Sequence, residues 1–135
     1  MVGTKRCETG RGAPRGGSQA GQDLFLDVEV FGGRRGGVFV EVGAHDGVTG
    51  SNTLFFERER GWSGLLIEAV PRLAEAAARA RRAPCLCAAV GPQAGAARFV
   101  EVERGLTQMS GLAAQYPPAL LDRVRAHPGH AEREM

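Results

Sequence analysis

Four side chains in this chain have the types and spacing that could do chemistry: Glu41, His45, Asp46 and Glu68. The first three fall in "VFVEVGAHDGVTGSNTLFFE", Val38 to Glu57, where an apolar, β-branched run carries a carboxylate near its end and a turn with Gly43 and Gly47 follows. Glycines in such a turn remove the Cβ atoms that would keep a ligand off the backbone, and they accept positive φ without strain. A helix starting near Ser51 would aim free N–H groups at an anionic part of a ligand. Glu41 could meet a positively charged group there. Glu68 closes the next apolar run, "GLLIE", 27 positions later, where a carboxylate could accept hydrogen bonds from both hydroxyls of a ribose. His45 offers an imidazole, whose ordinary pKa of about 6.5 suits proton transfer near neutrality, although a loop position alone sets no geometry. Each residue has a plainer alternative: glycines that only turn the chain, Glu41 capping the next helix, Glu68 as a solvent-exposed strand end.

These residues need elements to hold them. "SQAGQDLFLDVEVF" (Ser18 to Phe31) puts Leu24, Phe25, Val28 and Phe31 near helical spacing and predicts an amphipathic entry helix, which "GGRRGG" (Gly32 to Gly37) breaks. "VFVEV" (Val38 to Val42) predicts a strand buried on both faces. Ser51 or Asn52 would cap a helix running to about Arg60 and ended by Gly61, with Phe55, Phe56 and Trp62 as packing residues. "GLLIE" (Gly64 to Glu68) is a second strand. "PRLAEAAARARR" (Pro71 to Arg82) is a strong helix, with Leu73, Ala76, Ala77 and Ala80 as its buried stripe. "CLCAAV" (Cys85 to Val90) is a third strand and "ARFVEV" (Ala97 to Val102) a fourth, with antiparallel pairing to the third as one option. Beyond it, "LTQMSGLAAQ" reads as loop, Tyr116 to about Ala126 as helix, and "HPGHAEREM" shows no strand. Strand–helix–strand–helix–strand with short connections signals a parallel sheet with right-handed crossovers.

Bulk properties narrow the class. The 135 residues make one domain's worth of chain, 43% apolar and 24% charged, and the net charge of +2 argues neither for nor against nucleic acid. No apolar run approaches the roughly 18 residues that span a bilayer, and "MVGTKRCETGRGAPRGG" lacks the apolar stretch of a secretory signal. Residues 1–17 read as a disordered, solvated leader, since no aromatic residue is interleaved with its charges. Cys7, Cys85 and Cys87 suggest no disulfide framework and no metal site, and imply a reducing compartment. Cys85 and Cys87 share one strand face and are expected to pack as small hydrophobes.

The spacing E-x-G-x-x-x-G is not the G-x-G-x-x-G of dinucleotide sites. Together, "SQAGQD", "FVEVGAHDGVTGSNTLFFE", "GWSGLLIEAVP" and "CAAVG" resemble the FkbM family of S-adenosylmethionine-dependent methyltransferases, and within it the Star-like branch. The resemblance covers roughly Ser18 to Val102 and is most specific from Phe39 to Glu68. It implies a Rossmann-like class I methyltransferase fold, a three-layer α/β/α arrangement around a mostly parallel sheet, over residues 18–135, with S-adenosylmethionine as cofactor. It places Glu41, Gly43 and Gly47 in the first cofactor motif, Glu68 at the ribose and Cys87 and Ala88 beside the adenine. His45 and Asp46 would face the methionine end, where the family usually has Asn in place of His45. Gln22 and Asp23 would sit near the mouth, with Ala44, Asn52 and Ala69 among the cofactor contacts.

The implied activity is O-methylation of a hydroxyl on a small molecule or carbohydrate, with no metal and the catalytic residue left open. The alternative is a non-enzymatic, Star-like role in vesicle trafficking. The family's later strand, ending in a pattern like "KIDVEGAE", has no counterpart after Val102. The expectation is therefore an N-terminal part of the domain, apparently truncated, with an open sheet edge that a partner chain could complete and an acceptor site that is not whole. A small-molecule or glycan acceptor is the expected partner, with no nucleic acid and no membrane segment. The cytoplasm is the expected location, or endomembranes under the Star-like alternative.

Overall fold

The computed structural model describes residues 16–105 and 107–135. The expected leader therefore lies outside the described residues except for Gly16 and Gly17, and Cys7 lies outside them altogether. The first element, α1 (Gln22–Phe25), passes directly into a π-helical stretch (Leu26–Val30). The expected entry helix is present, and Leu24 and Phe31 pack against the main core, but Phe25 and Val28 stand exposed while Asp23 and Asp27 are buried. The wider π step displaces side chains from a 3.6-residue count. The two acids are also well partnered, as burial demands. Asp23 accepts the Gly17 and Ser18 N–H groups and the Ser18 hydroxyl, and Asp27 takes a two-point ion pair from Arg60 at 2.7 and 2.5 Å.

Strands β1 (Val38–Val42), β2 (Ser63–Glu68) and β3 (Cys85–Cys87) pair in parallel, in the order β1-β2-β3. Helices α2 (Leu54–Glu59) and α3 (Pro71–Ala80) make the two crossovers. Both pack on one sheet face, where Phe39, Phe55, Phe56, Trp62, Leu66 and Ala77 form the main core. The other face corrects the expectation of a strand buried on both sides: Val38, Val40 and Val42 remain 74%, 62% and 59% exposed. Alternation along β1 sends Phe39 and Glu41 inward and the valines outward, and none of the described residues covers them.

Two further adjustments concern helix and strand ends. On α3 the buried stripe runs through Ala74 and Ala77 to Arg81, just past the helix end, while Ala80 is exposed. Cys85 is half-buried opposite Leu66 of the core, but Cys87 is exposed, level with Glu68 where β2 and β3 end. The two thiols thus do not both pack as small hydrophobes.

The fourth strand does not join the third. Strand β4 (Arg98–Val102) is the centre of a separate antiparallel sheet, in the order β5-β4-β6, with β5 (Gly111–Leu112) and β6 (His130–Glu134). Strand β6 lies in the segment that shows no strand signal in the sequence. It carries a single apolar residue, Ala131, and is held instead by its ladder to β4 and by ion pairs from Arg133 to Glu101 and from Arg125 and Arg98 to Glu132. Helix α4 (Pro118–Arg125) packs Leu120, Leu121 and Val124 onto Val100 and Val102. A smaller cluster of Ala69, Val70 and Phe99, with Leu73, Ala89 and Leu112, joins the two sheets. The fold is mixed α/β with a small parallel sheet. Among the described residues no helix is long and apolar enough to cross a membrane.

Candidate functional site

The parallel strands direct their carboxyl ends at a common region. After Val42 the chain turns at Gly43 (φ 74°), whose N–H donates to the Ile67 carbonyl at 2.8 Å, and the Ala44 N–H reaches the same oxygen at 3.1 Å. His45 follows at φ 53°, the one non-glycine residue in the left-handed region among the described residues. Asn, Asp and His tolerate that region best among side-chain-bearing residues. The His45 N–H donates to Glu68 Oε2 at 2.7 Å, and the Val70 N–H donates to Oε1 at 2.9 Å. A carboxylate has about four acceptor directions, so Glu68 keeps capacity for two further donors.

Asp46 folds the next turn by accepting the Val48 and Thr49 N–H groups and the Thr49 hydroxyl at 2.9, 2.7 and 2.7 Å. Burial pushes its carboxyl up, but these hydrogen bonds and the neighbouring His45 outweigh it, and the pKa falls from 3.8 to about 2. Its Oδ1 stands 3.6 Å from His45 Nδ1.

The same loop has a second, buried side. A Cβ on Gly47 (φ 79°) would meet the Ala77 Cα at 3.0 Å and the Arg81 Cγ at 2.9 Å, so this glycine lets the loop lie on α3. Glu41 accepts the Asn52 N–H at 2.9 Å and the Ser51 and Thr53 hydroxyls at 2.9 and 2.5 Å, with Arg81 at 3.5 Å. The fully buried Arg81 side chain donates to the Gly47 carbonyl, Ser51 Oγ and Thr53 Oγ1 at 2.9, 3.1 and 2.9 Å, faces Glu57 at 3.4 Å, and lies over the Phe39 ring. Burial acts to raise the Glu57 carboxyl, yet the Arg82 and Ala83 N–H groups and the Arg81 charge hold it below its ordinary value. Ser51 Oγ accepts the Leu54 N–H at 3.1 Å, so Ser51 does cap α2, from outside the helix.

Between the strand ends and the antiparallel sheet lies a cleft of about 280 Å³, just below the roughly 300–1,000 Å³ usual for ligand pockets. Gly43, His45, Glu68, Ala69 and Ala88 line it, over an apolar floor of Val70, Leu73, Phe99 and Leu112. These five expected residues are brought together. Cys87 lines an adjoining depression that shares Ala88 and Ala89 with the cleft. Glu41, Ala44, Asp46, Gly47 and Asn52 belong to the same loop system but lie outside the lining. Gln22 is exposed and accepts the Ala20 N–H at 2.9 Å, and Asp23 is buried at the Gly17–Ser18 turn, so neither lines the cleft. Cys85, at the inner end of β3, has its thiol pushed up by burial and by the charge of Glu68.

Two features escape a reading of the sequence. The far wall, including Thr107, Ser110 and Gln115, comes from a segment without periodicity that is placed by β5 pairing with β4. Arg81 did leave a signal, a cation continuing the buried Ala74–Ala77 stripe at helical spacing. A profile of the methyltransferase FkbM domain matches residues 41–121 of the 135, from within β1 to within α4. No curated protein and no solved structure matches the chain.

Proposed function

Because the chain belongs to the FkbM methyltransferase family, we propose that its cleft binds S-adenosylmethionine and that the protein methylates a hydroxyl on a small molecule or carbohydrate. The observation that carries this reading is the meeting of Gly43, His45 and Glu68 at the carboxyl ends of parallel strands, where α/β sheets take their ligands. The residues present fit that group. A Cβ on Gly43 would meet nothing within 4 Å, so the glycine leaves open space at the cleft. Glu68 has acceptor capacity for two ribose hydroxyls, and Ala69 and Ala88 supply an apolar wall for a heteroaromatic ring.

When bound, S-adenosylmethionine supplies a methyl group made electrophilic by its sulfonium. The chain's own part is to orient the reactants and exclude water, from which much of the rate of such a displacement arises. In this reading Glu41, Gly47 and Asn52 act indirectly, by fixing the loop that carries Gly43 and His45. Asp23 acts from further away, through the Ser18 segment that bridges to Gly50 of the loop.

Calorimetry with S-adenosylhomocysteine tests the proposal. The wild-type chain is expected to bind, and Glu68→Gln to weaken binding about tenfold or more, the loss of roughly one charge-assisted hydrogen bond. A wild-type chain that gives no heat and no change in unfolding midpoint with the ligand would remove the cofactor reading and leave the non-enzymatic alternative.

A further inference from the structure

Building on the methyltransferase reading, we infer that His45 is the catalytic base for the acceptor hydroxyl and that Asp46 is the residue that positions it. Among the described residues lining the cleft, His45 and Glu68 are the two titratable side chains. Both Glu68 oxygens already hold backbone N–H donors, one of them from His45 itself. That bond and the left-handed backbone fix where the imidazole starts relative to Glu68.

The ring is asymmetric in its surroundings. Nδ1 is enclosed and has no hydrogen-bond partner, and the Asp46 carboxylate stands 3.6 Å away, itself locked by three hydrogen bonds. Catalytic hydrogen bonds are often long before a ligand binds and tighten in the complex. Nδ1–H facing a carboxylate leaves the lone pair of the neutral ring on Nε2. The acceptor O–H bond then breaks with its proton passing to Nε2. The oxygen keeps the electron pair for the new O–C bond, and the departing sulfur takes the pair of the bond it loses. The imidazolium rests against Asp46 and returns its proton to water through the 31% of the side chain that is exposed.

The other charges near this ring are accounted for. Glu68, ending β2, accepts the His45 N–H, and Arg81, just past α3, is engaged by Gly47, Ser51 and Thr53. Ala88 and Ala89 after β3, and Thr107, Ser110 and Gln115 on the far wall, bring no charge.

Nitrogen-15 NMR of the three histidines, His45, His127 and His130, reads the tautomer directly. The His45→Asn chain assigns the His45 signals. The expected result is a neutral His45 in the Nδ1–H form, with the proton moving toward Nε2 in Asp46→Ala, because the acceptor beside Nδ1 is lost. A wild-type ring in the Nε2–H form both with and without S-adenosylhomocysteine would overturn the inference. So would a tautomer ratio that Asp46→Ala leaves in place. The tautomer is read on the folded wild-type chain and needs no variant to fold. Failure to bind S-adenosylhomocysteine would instead strike the methyltransferase reading.

Discussion

The loop from Gly43 to Thr53 has two faces, and the chain has divided two glycines and two glutamates between them. On the cleft face, Gly43 leaves open space and Glu68 keeps unused acceptor capacity. On the buried face, Gly47 is pressed against α3, and Glu41 is filled by Ser51, Asn52, Thr53 and Arg81. The contrast teaches that one motif can carry two kinds of demand. A ligand site needs polar groups left partly unsatisfied, whereas a buried support pairs its charges, as Arg81 does with Glu41 and Glu57, its Nε 3.4 Å from Glu57 without a hydrogen bond. The ion-paired face is what keeps the open one in place.

The largest expected effect breaks the support. Arg81→Met would leave Glu41 and Glu57 buried without their shared cation, and urea unfolding is expected to show a loss of about 3–5 kcal/mol. A loss under about 1 kcal/mol would mean that the network does not carry the loop.

The glycines sharpen the comparison at intermediate cost. Gly47→Ala meets both a left-handed backbone and the α3 backbone and is expected to cost about 2–3 kcal/mol. Gly43→Ala meets only the backbone penalty, about 1 kcal/mol, yet it should cut S-adenosylhomocysteine affinity about tenfold or more by calorimetry. Equal effects of the two on stability and on affinity would erase the distinction between the faces.

The smallest effect is a pH dependence. Asp46 has a folded-state pKa depressed from 3.8 to about 2, so its contribution is present above the unfolded value and is lost as pH falls through about 2. The full shift would be worth about 2 kcal/mol, but the side chain is 34% exposed, which reduces the expectation to about 1 kcal/mol. Wild type should therefore exceed Asp46→Asn in stability by about that amount at pH 7, with the gap closing between pH of about 4 and about 2. A gap that widened on acidification would contradict the assignment.

Much of this was legible in the chain alone. The order β1-α2-β2-α3-β3 follows from hydrophobic period, a helix-starting Pro71 and turn glycines, all of which act over a few residues. Gly43 and Glu68 are visible for the same reason. Glu41 and Glu68 look equivalent because both are acids at or near the ends of apolar runs, and by alternation both point to the helix-covered face of the sheet. Register separates them: Glu41 lies level with Leu66 in the core, and Glu68 is two residues further along, where the sheet opens.

What the sequence by itself determined is therefore local: which segments up to Val102 are strand or helix, where turn glycines stand, and which acids lie near strand ends. Only the tertiary structure decided which acid meets a guanidinium and which meets a cleft. It also decided that a periodicity-free segment supplies the far wall, and that "HAERE" becomes a strand against β4. The physical reason is that burial and ion pairing depend on partners 20 to 40 positions away, such as Arg81 for Glu41 or Glu101 for Arg133. A local pattern carries no record of those partners.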